Sequence, residues 1–188
     1  YVKLCRIGTE TARGIDPKLK FLLAGSMWPR SFRLDVLAAG AGKWGVVLPV
    51  HYISGPGVRQ ARADLESYGA KNVTVWEDES ARCLTLWDES LERDLVDRSQ
   101  GEWLLEMWPD EIEAGVERLI WFGWRDPTGG WGPVWDDLTP RPVAAALAVM
   151  TSKLHGATPV GTTRLGRRDS EHVFHRDGRT IIVARSPV

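Results

Sequence analysis

The chain has 188 residues, 43% of them hydrophobic and 26% charged, which is the balance of a globular domain with a sizeable core rather than a disordered segment. Its formal net charge of -1 excludes a whole-molecule field that would recruit nucleic acid or an anionic membrane. Two cysteines, Cys5 and Cys83, lie far apart without metal-ligand spacing, so a disulfide framework is excluded, and no apolar run reaches membrane-spanning length.

In chain order, Val2 to Ile15 reads as a helix with Leu4, Ile7, Thr11, Ala12 and Ile15 near one face. Asp16-Pro17 ends it, because the residue before proline resists helical geometry. Lys20 to Gly25 is a short, continuously apolar strand, and Ser31 is expected to cap a helix across Phe32, Val36 and Leu37. Gly45 to His51 is a second buried strand, weakened by Pro49, which lacks a ladder donor. Ser54 to Gly57 reads as a loop, Val58 to Tyr68 as an amphipathic helix and Asn72 to Glu77 as a third strand.

Arg82 to Arg98 is a charge-rich insertion expected to be partly helical. Gln100 to Ala114 follows as a helix turning Trp103, Leu104, Met107 and Trp108 inward, kinked or split at Pro109. Glu117 to Trp124 is the fourth strand, Thr128 to Gly132 a glycine-rich loop, and Pro142 to His155 the last helix, with proline in its first turn and Gly156 beyond its end. Strand then helix, four times over, means parallel strands and right-handed crossovers, hence an α/β layer or barrel. The tail differs: Val160 to Leu165 precedes two runs, Glu171 to Arg176 and Arg179 to Ser186, that flank the hairpin signal Asp177-Gly178.

Three features fall at successive strand ends: His51-Tyr52, Glu77, and Trp124-Arg125-Asp126. In a parallel barrel such ends share one rim, so groups remote in sequence converge. A carboxylate, a His/Tyr pair and an aromatic platform suit glycosidic-bond hydrolysis. Ten tryptophans are many for this length, and a flat indole can either fill a core or stack on a pyranose. Taken singly, each of these residues is more often structural: a core Trp, a satisfied rim histidine, a surface acid. His172 and His175 are separated by an odd interval in a hairpin, which puts them on opposite faces, and no metal site is expected. The glycines form no phosphate-binding pattern, so no nucleotide cofactor is expected either.

The same residues resemble the C-terminal half of a clan A retaining glycoside hydrolase, of the β-xylosidase-like and cellulase-like kind. Ile15-Asp16-Pro17 is similar to the entry to strand five of that family, and Val50-His51-Tyr52 to the end of strand six. Val73-Thr74-Val75-Trp76-Glu77 resembles strand seven, which ends in the nucleophile. Gln100-Gly101, Ala114-Gly115-Val116 and Trp121-Phe122-Gly123-Trp124-Arg125-Asp126 are similar to the helix and aromatic strand that follow. Leu138-Thr139-Pro140-Arg141-Pro142 resembles the entry to helix eight.

The resemblance implies a partial TIM-type (β/α)8 barrel, strands five to eight, over residues 1–156, and an antiparallel β segment over 157–188. It implies Glu77 as nucleophile, Tyr52 and His51 as its positioning partners, and Trp121, Trp124, Trp28 and Asp126 as sugar contacts. Glu79 competes for the nucleophile's role if the register differs by two residues. The family's acid/base Glu, at the end of strand four, has no counterpart in these residues, and Trp76 with Asp78-Glu79 departs from the family pattern around the nucleophile. The partners implied are a carbohydrate and either an upstream barrel half or a second copy, because four strands leave two open edges. The alternative is a non-catalytic carbohydrate-binding or assembly module on a degenerate barrel. The chain opens on Tyr1 rather than Met, so an excerpted or processed polypeptide is expected, and its compartment is not legible.

Overall fold

The computed structural model describes residues 1–23, 25, 27–44, 46–82, 93–125, 131–164 and 170–185. The expected site residue Asp126, most of the loop 128–132 and the stretch 83–92 of the charged insertion lie outside them. The chain forms a mixed α/β fold that divides into two compact units, Tyr1–Glu79 with Ala114–Ile120 and Ser80–Glu113 with Trp121–Val188. No helix among the described residues is long and apolar enough to cross a membrane.

The first unit opens with α1, Val2–Ile15, closed at Asp16 as the Asp-Pro pair dictates. Its extent is the one the sequence predicts, but its inner face is not. The helix buries Cys5 and Thr9, while Leu4, Ile7 and Ile15 are exposed. Thr9 can afford burial because its hydroxyl donates to the Cys5 carbonyl one turn back, at 2.7 Å. The helix α2, Arg30–Ala38, starts after Pro29 rather than at Ser31, which sits inside its first turn.

The sheet of this unit has the order β1-β2-β3, with β1 Val47–His51, β2 Thr74–Ser80 and β3 Val116–Trp121. Among its described residues, the apolar run from Lys20 forms a parallel bridge, Leu22 against Val47, and no strand. The cause is Pro49. Val47 donates to the Phe21 carbonyl and accepts from Leu23, so the next donor due on that side of β1 is residue 49, which has no N–H. Pairing stops where the donor is missing.

The segment read as a loop, Gly55 to Gly57, is the first turn of α3, Gly55–Ser67, with Ser54 before it and proline in a position that needs no donor. Its end is a Schellman motif. Ala70 donates to Leu65 and Gly69 to Glu66, with Gly69 at φ 68 in the left-handed region that only glycine adopts without cost. Leu48 and Val50 from β1, Val73 and Val75 around β2, and Val58, Ala61 and Leu65 from α3 share one core. A 3-10 turn at Ala41–Trp44 rests against it so closely that a Cβ on Gly42 would lie 2.3 Å from the Ala70 Cβ. Gly42→Ala is therefore expected to cost about 1–3 kcal/mol through overpacking, measured as a shift in denaturant midpoint.

Across α2 and α3 runs a polar knot. The Asp64 carboxylate accepts from Arg30, from Arg33 at 2.6 and 3.0 Å, and from Gln60. Asp64 and Arg33 are both buried. Burial pushes the Asp64 carboxyl up, but hydrogen bonds from Arg30, Arg33 and Gln60 outweigh it and hold the group down at about 2.

In the second unit α4, Arg93–Ala114, runs through Pro109 without dividing, and absorbs the end of the charged insertion. Leu104 and Trp108 are buried, as expected. The helix α5, Pro142–Leu154, ends before Gly156 at φ 72. Arg141, just ahead of it, is wholly buried. Its Nε donates to Asp97 at 2.6 Å, a terminal nitrogen donates to the Gly132 carbonyl, and the guanidinium lies 4.3 Å from the Trp135 ring centroid. Asp97→Asn keeps an acceptor but removes the charge facing a buried cation, and is expected to cost about 2 kcal/mol by urea unfolding.

The second sheet is antiparallel, β4 Thr158–Arg164, β5 Ser170–Arg176 and β6 Arg179–Arg185, in the order β4-β5-β6. Asp177 and Gly178 at φ 52 and 72 make the turn that matches strand twist. His172 faces inward and His175 outward, in keeping with their odd spacing. Thr162, His172 and Glu113 are joined by hydrogen bonds, Thr162 Oγ1 lying 2.8 Å from His172 Nδ1.

Candidate functional site

The β2 strand does not end at Glu77; it continues to Ser80, with an irregularity in the middle. Val50 pairs with Glu77 and His51 pairs with Glu79, so Asp78 has no partner on β1. This is a bulge: one extra residue on one strand, which reverses the in-out alternation beyond it. Val75 and Glu77 are buried before the bulge, and Ser80 takes the buried position after it. Glu77 therefore follows Val75 and its partner Val50 onto the face packed against α3, and is fully buried.

At the bulge four side chains meet. The Tyr52 hydroxyl donates to Glu79 Oε1 at 2.7 Å. His51 places Nε2 3.0 Å from Asp78 Oδ1 and Nδ1 3.5 Å from Glu79 Oε2. The His51 and Tyr52 rings sit edge to face, with centroids 6.4 Å apart. Tyr52 has φ 48, a left-handed conformation that costs a non-glycine residue about 1 kcal/mol or more. Its N–H donates to the Glu79 carbonyl, which helps hold it there. A strained aromatic residue pinned beside a half-exposed carboxylate is the kind of local cost that clusters at working sites.

On the same face as Glu79, nearer the start of β2, the Trp76 ring has two cations over it, Lys20 at 5.5 Å and the Arg118 guanidinium at 4.7 Å. Glu117 accepts from Lys20 and, with help from Thr74 and Trp76, is held below the usual carboxylate range; partial burial opposes this. Among the described residues no group of three or more His, Cys, Asp or Glu is placed to hold a metal ion.

The expected sugar contacts fall in different units. Trp28, in the first unit, is 77% exposed, and Trp124, in the second, is 67% exposed with Gly123 at φ 72 before it. Trp124 lies beyond β3, not within it. Trp121 is committed to the protein: its Nε1 donates to the Trp131 carbonyl at 2.9 Å and its ring meets the edges of Trp103 and Trp108. The structure thus brings His51 and Tyr52 to Glu79 and to Asp78, a residue that received no role from the sequence. The available signal was Glu77-Asp78-Glu79 itself. Strict alternation puts Glu77 and Glu79 on one face, and an extra residue between them separates the two.

No family model and no curated protein sequence matches the chain. Its fold is that of part of a glycoside hydrolase structure. The likeness is to a family 39 glycoside hydrolase from the gut symbiont Bacteroides cellulosilyticus WH2, with a TM-score of 0.76 at 17% sequence identity. The match covers 96% of this chain and 42% of that one, so the chain spans less than half of the enzyme's length.

Proposed function

We propose that this chain carries the nucleophile half of a retaining glycosidase site, built on strands five to eight of a TIM-type barrel. In this reading residues 1–156 are the partial barrel and 157–188 begin a trailing β-domain. The observation that carries it is the Tyr52 hydroxyl donating to Glu79 at 2.7 Å, at the ends of two adjacent parallel strands. Chemistry in such sheets gathers at that end. Likeness of fold to a glycoside hydrolase supports the class of reaction.

Glu79, rather than Glu77, is the nucleophile here, because Glu77 is enclosed on the helix-packed face and Glu79 is within reach of a substrate. Its carboxylate attacks the anomeric carbon and forms a glycosyl ester as the aglycone leaves. Water then attacks the same carbon, and the sugar departs with inverted-twice, hence retained, configuration. Tyr52 holds the carboxylate by its donated hydrogen bond and keeps one oxygen free to attack. Retaining catalysis needs a second carboxyl roughly 5–5.5 Å from the first, to protonate the leaving oxygen. That acid, and the closure of the sheet edges, come from a further segment of the protein or a second copy.

The test is mechanism-based trapping on the full-length gene product. A panel of 2-deoxy-2-fluoro β-glycosides should leave one covalent sugar, mapped by peptide mass spectrometry to Glu79. An adduct on another carboxylate would overturn the assignment. No adduct, together with sugar-induced quenching of Trp fluorescence, would select the second reading, a carbohydrate-binding module without hydrolysis. The exposure of Trp28 and Trp124 is the feature that favours that alternative.

A further inference from the structure

Asp78 is the residue left over when β2 pairs with β1, and the bulge returns its side chain to the end of the neighbouring strand. His51 and Asp78 side chains are only 20% and 23% exposed, and the two facing atoms, Nε2 and Oδ1, are sealed from solvent at 3.0 Å. No hydrogen bond joins these two atoms, so Asp78 acts on the ring through its charge. An ionised carboxylate oxygen only accepts. Held that close to a carboxylate without water, a protonated Nε2 presents its positive end to the charge and is favoured over a bare nitrogen. With Nε2 beside Asp78, the other ring nitrogen lies 3.5 Å from Glu79 Oε2, while Tyr52 donates to Oε1.

We propose that Asp78 is a positioning residue: it fixes a proton on Nε2 of His51 and orients the ring so that Nδ1 faces Glu79. The role given to Glu79 rests on the glycosidase reading above; the Asp78–His51 coupling does not. Carboxylates that orient a histidine in this manner behind metal ligands contribute roughly 10- to 100-fold to function, and a similar scale applies to a ring that steers a nucleophile.

The experiment compares full-length protein with its Asp78→Ala and Asp78→Asn variants, each labelled with 15N-histidine, His51 being assigned by its loss in His51→Gln. In the parent, the His51 Nε2 signal should be that of a protonated nitrogen. Asp78→Ala should shift it toward the other tautomer, and Asp78→Asn, which keeps the size but not the charge, should shift it as well. Turnover should fall roughly 10-fold in both Asp78→Ala and Asp78→Asn at unchanged KM. An unprotonated Nε2 in the parent, or a His51 spectrum indifferent to Asp78→Ala, would overturn the inference. The spectra are read without substrate. If they move as expected while no fluoroglycoside labels the protein, the catalytic reading fails and the coupling stands. If Glu79 is labelled and the spectra do not move, the reverse holds.

Discussion

Glu79→Gln is expected to reduce glycosidase turnover of the full-length protein by roughly 10⁴-fold, while leaving sugar binding in place. The amide is nearly the same size and can still accept from Tyr52, so the fold and the subsite persist. In the proposed mechanism, what disappears is the charge that attacks the anomeric carbon. Glu77→Gln has a different expected result. Its side chain lies on the face that carries Val50 and Val75, fully buried. A change there acts on folding, so the variant should unfold at a lower denaturant concentration and its folded fraction should turn over at the parent rate. Steady-state kinetics on both variants, with the folded fraction measured by circular dichroism, separates the two acids. Turnover lost with Glu77→Gln and kept with Glu79→Gln would return the nucleophile to Glu77.

Asp64→Asn is expected to be the most damaging single substitution to stability, at about 3 kcal/mol by urea unfolding at neutral pH. Arg33 is buried, and without a carboxylate its guanidinium is an uncompensated charge in the seam between α2 and α3. Asp64 also makes a pH-dependent contribution. Its carboxyl sits at about 2 in the folded chain against 3.8 as the ordinary value. A group whose folded pKa is depressed contributes stability above its unfolded pKa and loses it as pH falls through the folded one. The parent should therefore lose about 2 kcal/mol from this group between roughly pH 4 and pH 2, a component absent from Asp64→Asn. Parallel unfolding curves for the two proteins across that window would show that the ion pairs do not form.

The sequence disclosed the extents of elements better than their faces. α1 has the predicted bounds, because Asp-Pro is a local stop signal, yet Leu4 and Ile15 are exposed where periodicity turned them inward. Helical spacing identifies a stripe without saying which neighbour covers it. Pro49 was noted as a missing donor, but only the pairing partner reveals what was lost, namely the continuation of the Phe21–Leu23 bridge. Ser54 to Gly57 looked like a loop because glycine is common there, although proline after a Ser is equally a helix start. At the site, His51 and Tyr52 were legible as a strand end. The bulge was not, since an inserted residue leaves no trace in composition or hydropathy. Trp121 shows the same limit: exposure of an indole is decided by Trp103, Trp108 and Trp131, which are distant in sequence.

Asp78 also bears on how such a site could arise. A single-codon insertion taken up as a bulge leaves the side chains before and after it on the faces they already had. It adds one side chain at the strand end without disturbing the apolar half of β2 or the acid beyond it. An aspartate can therefore enter such a rim in one step while the packed core stays unchanged.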